Sequence, residues 1–107
     1  MRLSETQVKQ ITAVLVEEIP FSFELFLVGS RTKDHLKGGD IDLLLISDNR
    51  NLKNLLSTKH LLIDKLKRQP SVDDGKVDLL LAHPDDLIND PFISSLNSSK
   101  IKIFKKK

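Results

Sequence analysis

Asp40 and Asp42 stand two positions apart in the segment DIDLLLIS, and a third acid, Asp78, sits in KVDLLLA between Val77 and Leu79. In an extended chain, side chains two apart leave the same face, so Asp40 and Asp42 would lie a few ångströms from each other. Two carboxylates that close repel, and each pKa would rise unless a cation neutralised the pair; hard oxygen donors of this kind suit Mg²⁺. An acid flanked by apolar residues, as Asp78 is, is costly unless it is paired or at work. If the two segments are neighbouring strands, Asp78 completes a three-carboxylate cluster able to hold two Mg²⁺ ions, the arrangement that serves in-line phosphoryl or nucleotidyl transfer. Gly29-Ser30 supplies a candidate phosphate end. The glycine allows close backbone approach, the serine amide and hydroxyl can donate to phosphate oxygens, and Arg31 and Lys33 add positive charge beside them.

Other chemistries find less support. There is no Walker A loop, and Ser30 lacks the Gly-x-Ser-x-Gly elbow of a hydrolase nucleophile. His35, His60 and His83 are far apart and show no metal-ligand spacing, which favours exposed or capping roles; His35, in the loop between Ser30 and Asp40, has the best remaining claim to a site role. Lys53, His60 and Lys67 are a heptad apart, as a solvated helix face would place them.

The elements that must position these residues are legible from periodicity. Ser4 followed by Gln7 is a capping-box pattern, and Val8, Ile11, Leu15 and Ile19 recur at helical spacing until Pro20 stops the run. Residues 21–29, FSFELFLVG, are apolar on both alternating faces apart from Glu24, which predicts a strand covered on two sides. A polar loop, RTKDHLKGG, leads into the second strand. A long helix is predicted over about 49–69, from Leu52, Leu55, Leu56, Leu62, Ile63 and Leu66, with Lys65, Lys67 and Arg68 suited to its C-terminus. Pro70 closes it, SVDDG turns, and KVDLLLA is a third strand. PDDLIND and PFISSLNSS each open with Pro and could hold a short helix, and KIKIF alternates like a small edge strand. The five lysines from Lys100 onward read by default as a flexible, solubilising end.

The composition narrows the function classes. The length of 107 residues predicts a single domain, 1–107, and 39% apolar residues suffice for an aliphatic core without staples. A formal charge of +2 and only five Phe, with no Tyr or Trp, argue against nucleic acid as a direct ligand. The absence of Cys removes disulfides and thiolate chemistry and fits an intracellular chain. No apolar run approaches the 18 or so residues of a membrane span, so the expectation is a soluble, cytoplasmic protein.

The stretch GSRTKDHLKGGDIDLLL resembles the signature of the DNA polymerase beta-like nucleotidyltransferases, Gly-[Gly/Ser], a spacer, then Asp-x-[Asp/Glu]; within that superfamily it is most similar to the minimal nucleotidyltransferase (MNT) group. Nine residues separate Ser30 from Asp40, near the short end of the family's spacers, and Asp78 matches the family's third acid. The resemblance covers roughly residues 23–82. It implies an α+β fold with a mixed β-sheet and helices packed on one face. It also implies two Mg²⁺ held by Asp40, Asp42 and Asp78, and ATP or another nucleoside triphosphate held at Gly29 and Ser30 and steadied by Arg31. A nucleoside monophosphate would pass to an acceptor hydroxyl with release of pyrophosphate, and Asp78 would help the acceptor oxygen lose its proton. Many MNT proteins are antitoxins of a HEPN-domain ribonuclease, some adenylylating a tyrosine on it, so the resemblance implies a HEPN-domain partner in a hetero-oligomer, with neutralisation by binding alone as the alternative. About 25 residues beyond the third strand are too few for a second domain, so a partner is expected to complete the site.

Overall fold

The computed structural model describes residues 3–28, 41–72, 77–97 and 100–107. Its first helix, α1 (Glu5–Glu18), begins with the expected capping box. Gln7 N–H donates to Ser4 Oγ at 3.1 Å and Ser4 N–H donates to Gln7 Oε1 at 2.9 Å, so two amides that no helical carbonyl can reach are satisfied reciprocally. Ile11 and Leu15 are its buried positions. No basic residue lies in its last turn. Lys106 supplies that charge from the other end of the chain, donating to the Ile19 carbonyl at 2.5 Å.

Strand β1 (Phe23–Val28) pairs antiparallel with β2 (Ile41–Ile46), and β2 pairs parallel with β3 (Val77–Ala82). Parallel neighbours need a crossover, which α2 (Leu52–Lys67) provides. A 3-10 turn, Pro70–Val72, follows that helix. After β3 come two short helices, α3 (Asp86–Asn89) and α4 (Pro91–Asn97), and the last strand, β4 (Ile101–Lys106), returns antiparallel to β1. The sheet order is therefore β3-β2-β1-β4, mixed, with the two most apolar strands at its centre.

Alternation divides the strand residues between two cores. Leu25, Leu27, Ile41, Leu43, Leu45, Val77 and Leu79 pack with Ile11 and Leu15 of α1 and with Leu52, Leu55, Leu62 and Leu66 of α2. Both long helices thus lie on one face, as expected. The opposite face carries a smaller cluster, Phe26, Val28, Leu44, Ile46 and Ala82, covered by Ile93 of α4 with Leu87 and Leu96 beside it. The short helices thus cover part of that second face.

The lysine-rich end is not a free tail. It forms β4, where Lys102 pairs with Glu24 at 2.8 Å and Lys100 stands 5.0 Å from the centre of the Phe26 ring. A register shift opposite Leu25 and Phe26 lets both Ile103 and Phe104 reach the α1 side. Among the described residues, no helix is long and apolar enough to cross a membrane.

Candidate functional site

Asp42 and Asp78 are each the second residue of their strand, and the parallel register sets them directly opposite one another. Neighbouring strands lie about 4.8 Å apart, so the two side chains rise side by side. Val28, at the end of β1, is the partner of Asp42 on its other side. One row across three strands therefore reads Val28, Asp42, Asp78. The next row on the same face is Phe26, Leu44, Leu80, and these apolar residues form a floor beside the carboxylates. That face is the one without the long helices, which leaves the acids accessible: Asp42 is half-buried and the Asp78 side chain is 59% exposed.

Local contacts shape Asp78 further. Its Oδ1 accepts the Leu79 N–H at 2.9 Å, and Lys59 Nζ lies 3.9 Å from the same oxygen. Lys59 carries no signal in the sequence, being 19 positions from Asp78 and one of many polar residues on α2; only the crossover brings the two together.

Asp40, Gly29, Ser30 and Arg31 lie outside the described residues, as does His35. Among the described residues there is no cluster of three or more His, Asp or Glu able to hold a metal ion. The donor set nevertheless suits a hard divalent cation, because two carboxylates face each other at strand spacing.

The sequence profile of the nucleotidyltransferase domain family matches residues 8–107. The chain belongs to this family. No curated protein matches it. The nucleotidyltransferase match covers α1 through β4, so the N-terminal helix and the lysine-rich strand are parts of the domain and not appendages to it.

Several other polar residues have structural explanations. His60, Lys53 and Lys67 are exposed on α2, as a solvated face requires. His83 shapes the entry to α3: its Nδ1 accepts the Asp85 N–H at 3.1 Å, and its own N–H donates to Asp86 Oδ2 at 3.0 Å. Glu24, in the last row of the acid-bearing face, has its carboxyl held below the usual range. The hydrogen bond from Lys102 is the main cause, and the nearby charges of Lys102, Lys105 and Lys100 add to it against the opposing effect of burial. A groove of about 360 Å³ between α1 and α2, lined by Leu55, Thr58, Leu61 and Leu62, is bridged by a Lys65–Glu18 ion pair and lies on the helical side, away from the carboxylates.

Proposed function

We propose that this nucleotidyltransferase domain moves AMP from ATP to an acceptor hydroxyl, with release of pyrophosphate, in the cytoplasm, as the antitoxin of a HEPN/MNT pair. The chemistry rests on one observation above all, the register pairing of Asp42 with Asp78 on the open face of the sheet. Asp40, Asp42 and Asp78 would hold two Mg²⁺, and Gly29, Ser30 and Arg31 the triphosphate. Bound Mg²⁺ would supply charge stabilisation at the phosphate oxygens and orientation of the attacking and leaving groups.

The chain's own part is positional. Acceptor oxygen and α-phosphorus form the new bond, the bond from α-phosphorus to the bridging oxygen of the β-phosphate breaks, and pyrophosphate leaves with that electron pair. Asp78, the more exposed acid, would take the acceptor's proton and pass it to water. Because the chain contains no Tyr, a tyrosine acceptor would have to come from another protein.

The test is transfer of label from α-³²P-ATP in Mg²⁺ to a co-expressed HEPN-type protein or to small hydroxyl acceptors. Labelling by the native protein and its loss in Asp42→Asn are expected; equal labelling by the variant would refute the assignment. A second reading, neutralisation of a HEPN ribonuclease by binding alone, draws support from Ile88 and Phe92, which are 83% and 58% exposed on the short helices beside the acid-bearing face. Neutralisation that survives the Asp40/Asp42 double substitution would favour it.

A further inference from the structure

Lys59 stands near the middle of α2, whose apolar side packs on the face opposite to the one carrying Asp78. Its ammonium therefore comes round the rim of the sheet to approach Asp78 Oδ1, and β3, an outer strand, leaves that rim open. The lysine side chain is 29% exposed, half the exposure of the aspartate it meets, so it is held against the protein and does not sweep freely through solvent. The contact is long at 3.9 Å, and the carboxylate oxygen is shared with the Leu79 amide. Such a pair balances charge without locking the carboxylate in place.

We propose that Lys59 is a charge-exchange positioning residue of the nucleotidyl-transfer site, a reading that rests on the function proposed above. Its ammonium balances Asp78 while no divalent cation is bound. When Asp78 turns to a bound divalent cation, Lys59 loses its counter-charge and becomes available to the phosphates of the nucleoside triphosphate. The same residue thus opposes cation binding and favours triphosphate binding. Removing a positive charge within a few ångströms of the site should shift the two affinities in opposite directions, each by about fivefold, the size expected for charges screened by water at this exposed rim.

The test titrates Mn²⁺ by isothermal calorimetry into the native protein, Lys59→Met, Lys59→Arg and Lys53→Met, the last removing an equal charge from an exposed position on the same helix. An α,β-methylene analogue of ATP is then titrated in saturating Mn²⁺. Lys59→Met is expected to bind Mn²⁺ about fivefold more tightly and the analogue about fivefold more weakly, with Lys59→Arg and Lys53→Met close to native. A gain in Mn²⁺ affinity cannot come from damaged folding, so the signature is separate from a structural role. Unchanged or weaker Mn²⁺ binding by Lys59→Met, or unchanged analogue binding, would overturn the proposal while leaving the nucleotidyl-transfer reading in place. Failure of the native protein to bind Mn²⁺ at all would overturn both.

Discussion

Under α1 and α2 the sheet presents Phe23, Leu25, Leu27, Ile41, Leu43, Leu45, Val77 and Leu79, every one of them buried and apolar. On the other face the same strands present Glu24, Asp42 and Asp78 among Phe26, Val28, Leu44 and Leu80, with the short helices α3 and α4 as the only helices above them among the described residues. The first face accounts for most of the folding free energy, because each fully buried aliphatic side chain contributes about 1.5–3 kcal/mol relative to exposure. The second face can carry acids because the positions of Asp42 and Asp78 stay accessible while Leu44, Val28 and Ala82 beside them are buried. Period-two alternation is what allows one strand to serve both: Leu43 and Leu45 anchor β2 from below while Asp42 stands on top.

Substitutions can break that division, and the largest effect is expected on the sealed face. Leu45→Ala, at a fully buried position, should cost about 3 kcal/mol in urea denaturation, with the site lost only because the fold is. Ile93→Ala, which thins the partial cover of the second face, should cost about 2 kcal/mol. An equal or greater loss from Ile93→Ala would mean that the short helices carry as much of the fold as the long ones. Asp42→Asn, at a half-buried position, should change stability by less than about 1 kcal/mol. Its effect belongs in the transfer assay; a large destabilisation would make Asp42 a structural acid.

The smallest effect concerns Glu24. Its folded-state pKa is depressed, so the stability gained from Lys102 is fully present above the ordinary carboxylate value of about 4.5 and is lost as the pH falls through the lower folded value. Half-exposed pairs of this kind contribute under about 1 kcal/mol. Glu24→Gln should therefore lower stability slightly at neutral pH and flatten its fall below about pH 4.5. An unchanged acid limb would show that the pair is electrostatically idle.

What was legible in the sequence was whatever has a local cause. The capping box at Ser4 and Gln7 and the unbroken apolar strands follow from patterns a few residues long, whereas the parallel pairing that brings Asp78 to Asp42 depends on the crossover through α2. The helix face was read less well. Leu56 shares the apolar period of α2 yet is 62% exposed, because the buried stripe runs through Leu52, Leu55, Leu62 and Leu66 and the helix has no neighbour on the Leu56 side among the described residues. The alternation of KIKIF marks a strand, but its lysines read as a flexible end because their partners are distant: Glu24 lies 78 positions before Lys102, and the Ile19 carbonyl that Lys106 caps is 87 positions away. Lys59 carries no local signal for the same reason. Helix and strand type are local properties, whereas ion pairs across a sheet depend on topology.

The central claim is that Asp42 and Asp78, side by side on neighbouring strands, share a divalent cation. Mn²⁺ titration followed by electron paramagnetic resonance tests it most directly, using the native protein with Asp42→Asn and Asp78→Asn. The account predicts saturable binding by the native protein and at least about a tenfold loss of affinity in each variant, as expected when one of the charged ligands is removed. Native-like Mn²⁺ binding by both variants would contradict it.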